Sequence, residues 1–150
     1  MTELEANWME LSQEMGKLHG WDSLTSKLVG ILYIEPGEIA LEDLAKRTGY
    51  SLASVSNKIR QLEPFGIIQR ATKPGTRKVF LSMEKDLLGS HHRHILTVAR
   101  KKISLAKDRL PGILKAKGSL EQKKILQNYL KQVEKLDILL ASLVGRIEGL

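Results

Sequence analysis

The chain has 150 residues, no cysteine and a net charge of +7. That length suits one domain, or one domain with an appendage, and can bury a core without staples. The missing cysteine excludes disulfides, thiolate metal sites and cysteine redox chemistry. No apolar run is long enough to cross a bilayer, and the acidic, polar opening MTELEANWME is not a signal peptide, so a cytoplasmic protein is expected.

Leu4, Trp8, Leu11, Met15 and Leu18 recur at three- and four-residue steps, which predicts an amphipathic helix over residues 3–18. HGWDS breaks it. Asp22 or Ser23 can cap a second helix carrying Leu24, Leu28, Ile31 and Leu32, which EPG at 35–37 ends. EIA suits a very short strand. LEDLAKRT reads as a two-turn helix with acids in its first turn and Gly49 after its last, though Ala40 is a poor cap. Ser51 is a good N-cap for the next helix, LASVSNKIRQLE, which stops before Pro64. Its apolar positions Leu52, Val55, Ile59 and Leu62 share one face. The opposite face carries Ser54, Ser56, Asn57, Arg60 and Gln61, rather than the Glu/Lys mixture of a solvated helix.

GIIQRAT and KVFLSM are strand-like runs joined through a Pro-Gly turn. Residues 70–82 around that turn hold Arg70, Lys73, Arg77 and Lys78 and no acid. A helical stretch follows from about Asp86, with interruptions expected at Pro111-Gly112 and Gly118. SLEQ at 119–122 has the form of a capping box. Beyond it Leu126, Tyr129, Val133, Leu136, Leu140, Leu143 and Ile147 form an unbroken heptad seam, and Leu130, Leu139 and Val144 broaden it. The seam suits either a self-contained helical hairpin or a dimer, and dimerisation is the expected use of so much apolar surface.

The charge is divided sharply along the chain. Residues 1–45 hold two bases against nine acids, and residues 46–78 hold eight bases against Glu63 alone. A basic block of this kind is the footprint of a polyanion-binding surface, although charge alone does not exclude a merely solubilising one. An enzyme is not expected, because there is no Cys nucleophile, no Gly-rich phosphate loop and no acid pair within the basic block. HHRH places His91 and His94 one helical turn apart. Only Glu84 and Asp86 stand near enough in sequence to add ligands, so neither a metal nor a cofactor is expected. The three histidines (His91, His92, His94) beside Arg93 better suit a solvated or phosphate-facing edge. Trp8, Trp21 and Tyr33 suit plain core or an effector pocket, core being the commoner use.

The order helix, short strand, helix, tight turn, helix, hairpin over residues 24–83 is that of a winged helix-turn-helix. The fold expected is mainly α with a small β-hairpin wing: an N-terminal dimerisation helix (1–20), a DNA-binding domain (21–85) and C-terminal linker and dimerisation helices (86–150). TGYSLASVSNKIRQLE, FGIIQR and the wing KPGTRK followed by an aromatic resemble the MarR superfamily, and within it the GbsR-type branch. The resemblance covers residues 24–90. It implies a homodimeric transcription factor, with Ser54, Ser56, Asn57 and Lys58 on recognition-helix contact positions and Arg77 as the wing arginine. A small-molecule effector is a further partner it implies. Asn57 stands where many relatives carry Arg, and Thr76 where many carry an acid.

The residues expected to meet double-stranded DNA are Ser51, Ser54, Ser56, Asn57, Lys58, Arg60 and Gln61 on the helix, and Arg70, Lys73, Thr76, Arg77 and Lys78 on the wing. Asn57 suits a base edge, and Arg60, further from the helix start, a phosphate. Leu4, Trp8, Leu11, Leu126, Tyr129, Val133, Leu136, Leu140, Leu143 and Ile147 are expected at a dimer contact. The rival reading is a winged-helix scaffold for protein partners, which would have no need to concentrate bases on helix and wing.

Overall fold

The computed structural model describes residues 1–86 and 92–149, the side chains of residues 92–94 excepted. The chain forms two compact units, Met1–Ser90 and His91–Leu150. The first contains α1 (Glu3–Leu18), α2 (Ser23–Ile34), β1 (Ile39–Ala40), α3 (Leu41–Thr48), α4 (Leu52–Leu62), a 3-10 turn (Glu63–Phe65), β2 (Ile68–Thr72) and β3 (Val79–Met83). The second is a pair of helices, α5 (His92–Ile113) and α6 (Leu120–Glu148).

Local chemistry sets the boundaries in the first unit. Thr2 and Glu5 form a reciprocal capping box at the start of α1, a signal that TELE carries in its spacing. Asp22 caps α2 by accepting from the Thr25 backbone N–H at 2.7 Å and the Thr25 hydroxyl at 2.6 Å. Ala40 makes no side-chain cap for α3. Gly49 ends that helix at φ +74°, a conformation glycine takes without a Cβ clash. Tyr50 then leads to Ser51, an extended residue whose hydroxyl accepts from the Ser54 N–H at 3.1 Å and caps α4.

The three strands form an antiparallel sheet in the order β1-β3-β2. Ile39 pairs with Leu81, and the β2–β3 ladder runs from Ile68 opposite Met83 to Thr72 opposite Val79. This register turns Ile68, Leu81 and Met83 toward the helices. There they meet Leu28, Leu32, Leu44, Val55 and Ile59, all with essentially no exposed surface. Leu52 does not share the buried face of α4 as its spacing suggests. It is 46% exposed, whereas Val55, Ile59 and Leu62 are buried.

α1 crosses α2 at close range. A Cβ placed on Gly16 would lie 1.9 Å from Ser26 Oγ, and one on Gly30 would lie 3.0 Å from Ser12 Cβ. Ser12 is buried with its hydroxyl unbonded, so it serves here by being small. Trp8 donates its indole N–H to the Gly30 carbonyl at 2.8 Å and stacks on Tyr33, with ring centroids 5.5 Å apart.

In the second unit α5 runs through Pro111 to Ile113, where the sequence suggested a break. Proline forfeits only the bond to the Lys107 carbonyl, and the helix ends two residues later. Ser119 caps α6 by accepting from the Gln122 N–H at 3.1 Å. α5 and α6 pack together around Ile103, Leu110 and Val133, and Lys107 pairs with Asp137 at 2.8 Å. That carboxylate raises the Lys107 pKa.

Candidate nucleic-acid interface

The N-terminal turns of α4 present Ser51, Ser54 and Asn57 to solvent, and Arg60 and Gln61 continue the same exposed face. Ser56 is half-buried and lies 3.4 Å from the Arg60 guanidinium. Lys58 is also half-buried, and its ammonium donates to Asp22 Oδ2 at 2.7 Å. The Lys58 ammonium, first among causes, and the two bonds from Thr25 hold the Asp22 carboxyl down at about 2.

The wing loop, residues 73–78, turns at Gly75 with φ +80°. Thr76 Oγ1 accepts from the Lys78 N–H at 3.1 Å, so this hydroxyl shapes the loop. The four wing bases divide into two classes. Arg70 pairs with Glu63 at 2.6 Å, and Lys73 pairs with Glu38 at 3.0 Å while its ammonium lies 4.2 Å from the Phe80 ring centroid. Arg77 and Lys78 are exposed and have no acid within ion-pair distance among the described residues.

The same division holds for the rest of the basic block. Arg47 binds Glu35 at the end of α2 and Glu5 of α1, and Lys46 faces Asp43 at 3.8 Å. Only Arg60, Arg77 and Lys78 of its eight bases stand without an acidic partner among the described residues. One of the three is on α4 and two are at the wing tip. Asp22, Glu38 and Glu63 therefore shape the electrostatics of this face, and residue type alone did not single them out. For Asp22 and Glu38 the acidic block ahead of the basic one was the available signal, and Glu63 is the single acid within the basic block.

The expected dimerisation residues fall into two groups. Trp8 is engaged on α2, while Leu4 is 71% and Leu11 48% exposed on the outer side of α1. On α6, Val133 is buried in the helix pair, and Leu126, Leu140 and Ile147 are half-buried. Tyr129, Leu136 and Leu143 form an exposed row at seven-residue steps, with Ile125 and Leu139 also exposed. Of the three aromatics, Trp8 and Tyr33 meet, whereas Trp21 stacks on His19, centroids 4.6 Å apart. A cleft of about 380 Å³ against α1, α2 and α3 is lined by Met9, Ile31, Ile34, Lys27, Glu5 and Arg47, among others. The HHRH histidine side chains lie outside the described residues. Among the described residues no group of three His, Cys, Asp or Glu could hold a metal ion, and no helix is long and apolar enough to cross a membrane.

No protein-family model matches the chain, and no curated protein matches it. Solved structures do. NadR in complex with 4-hydroxyphenylacetate is 20% identical over 77% of this chain and 89% of its own, with a TM-score of 0.46. FabT of Streptococcus pneumoniae in complex with DNA is 17% identical over 84% and 86%, with a TM-score of 0.41. A crystal structure of a transcriptional regulator is 18% identical, covers 97% of this chain and 99% of its own, and superposes with a TM-score of 0.76. At that overlap and that identity the likeness shows the fold: the chain has a winged helix-turn-helix fold, mainly helical, with a small three-stranded antiparallel sheet.

Proposed function

We propose that the chain is a sequence-specific double-stranded DNA-binding transcriptional regulator of MarR type, close to the GbsR-type branch, acting as a homodimer on a pseudopalindromic operator. The observation that carries this reading is the placement of its unneutralised cations. Among the described residues Arg60 on α4 and Arg77 and Lys78 on the wing tip have no acidic partner, and α4 carries an exposed Ser/Asn/Gln face, while the other five bases of the block pair with carboxylates. Short polar side chains at the start of a helix are suited to base edges, and free cations on either side to phosphates. In this reading Asn57 meets a base, and Arg60, Arg77 and Lys78 meet the backbone.

The exposed rows on α1 (Leu4, Leu11) and α6 (Tyr129, Leu136, Leu143) supply the apolar surface for a two-fold contact. Two recognition helices would then address successive major grooves, with half-sites about 10–10.5 bp apart. Repression by occupying the promoter, in the cytoplasm, is the simplest action of such a dimer. Residues 1–20 and 86–150 then serve assembly and residues 21–85 serve DNA. The cleft beside Lys27 and Arg47 is the place for a small-molecule effector. No catalytic step and no cofactor belong to this reading.

The test is genome-wide footprinting of the purified protein at stated salt, which yields site, symmetry and neighbouring genes together. It is paired with Arg77→Ala on the operator so found. Loss of one phosphate contact should lower the slope of log K against log salt by about 0.9 per subunit. A protein that protects no site would favour the protein-scaffold reading instead, and a wing variant with unchanged affinity and slope would remove the wing from the mechanism.

A further inference from the structure

Asp22 is the one acid of the N-terminal block that reaches the recognition helix among the described residues, and its two oxygens do separate work. Oδ1 accepts both Thr25 bonds that cap α2, at 2.7 and 2.6 Å. Oδ2 takes only the Lys58 ammonium, at 2.7 Å. The Asp22 side chain is 55% exposed, while that of Lys58 is 20% exposed. The shared ion pair therefore opens to solvent on the aspartate side, and the lysine stem lies against the protein. A lysine is a point charge on a flexible four-carbon stem, so its ammonium can change partner by rotating the last bonds of that stem. The cap bonds do not depend on Oδ2, so α2 keeps its start when the lysine leaves.

We propose that Asp22 and Lys58 form an exchangeable latch: the Asp22 carboxylate holds the Lys58 ammonium in the free protein, and a DNA phosphate displaces the carboxylate when α4 enters the groove. The latch rests on the DNA-binding reading above. It makes Asp22 an affinity-setting residue that touches no nucleotide. Every encounter with duplex must break the pair before Lys58 contributes, which lowers binding to all sequences alike. The competing role is a fixed strut, in which Lys58 stays on Asp22 and merely anchors α4 to α2.

The experiment uses the full chain as wild type, Asp22→Asn, Lys58→Gln and the double variant, titrated with a labelled random-sequence duplex over a salt series. Asparagine retains a capping oxygen, and Asp22→Ser is a second cap-retaining variant if needed. With exposed ion pairs worth up to about 1 kcal/mol, Asp22→Asn should bind roughly two- to fivefold more tightly per subunit, with little change in slope. Lys58→Gln should bind more weakly and lose about 0.9 from the slope per subunit. Adding Asp22→Asn to Lys58→Gln should change nothing further, because the latch has no second half. A gain that persists in the Lys58→Gln background would be a general charge effect and would overturn the latch. So would Asp22→Asn binding no tighter than wild type, or Lys58→Gln keeping the wild-type slope. A wild type with no salt-dependent duplex binding would overturn the DNA-binding reading and the latch with it.

Discussion

The docking of α1 onto α2 makes a sharp energetic test through Gly16→Ala. The added Cβ would sit 1.9 Å from Ser26 Oγ, 2.8 Å from Ser26 Cβ and 3.6 Å from Ser26 Cα. Rotating χ1 can move the hydroxyl away. It cannot move the Ser26 Cβ, which is fixed to the α2 backbone. To restore an ordinary carbon–carbon separation of about 3.5–4.0 Å the helices must part by close to an ångström. Overpacking of this kind costs about 1–3 kcal/mol, and replacing a helical glycine by alanine returns up to about 1. A net destabilisation of about 1–2 kcal/mol is expected, read as a lowered urea midpoint at unchanged m. Ser26→Gly removes both clashing atoms, so the cycle of the two single variants and the double should show a coupling of at least about 1 kcal/mol. Gly145→Ala is the internal control. Gly145 lies within α6 with nothing within 4 Å of the added Cβ, so that variant should be neutral or slightly stabilising. A Gly16→Ala protein as stable as wild type, or a cycle with no coupling, would refute the close crossing and with it the seating of Glu5 on Arg47.

Asn57→Ala should relax preference at one position per half-site, costing about 1–3 kcal/mol there; selection from a randomised duplex pool reads this, and a uniform loss over all sequences would make Asn57 a backbone contact. Leu136→Lys with Leu143→Lys alters two exposed residues and leaves Val133 and Ile103 in place. It should therefore give folded monomers in sedimentation, with operator affinity collapsing in parallel; a variant that remains dimeric removes this row from the interface. The Asp22 carboxyl titrates at about 2 when folded against 3.8 when free. Its stabilisation is therefore complete above about pH 4 and disappears as pH falls toward 2. With Asp22 55% exposed, the contribution is below about 1 kcal/mol. The stability gap between wild type and Asp22→Asn in urea should close across that window, and a gap constant from pH 6 to pH 2 would contradict the assigned pairing.

Much of the architecture was legible in the sequence because caps and amphipathic periods are local properties. Ser51, Gly49, Asp22 and Ser119 each satisfy backbone groups within a few residues, and they set helix ends where their chemistry indicates. The polar face of α4 follows from the 3.6-residue period once Val55, Ile59 and Leu62 are buried. Apart from the local Lys46–Asp43 pair, tertiary structure decided which of the eight bases remain free. Lys58 meets an acid 36 positions away. Lys73 meets Glu38, and Arg47 meets both Glu5 and Glu35, partners that no spacing rule connects. The heptad row on α6 was likewise visible, but its division was not. Val133 turns into the helix pair while Tyr129, Leu136 and Leu143 stay exposed, because a second helix covers only part of an apolar arc that wide. Periodicity names the face that must be covered, and ion pairing depends on distances through space that only the packed chain defines.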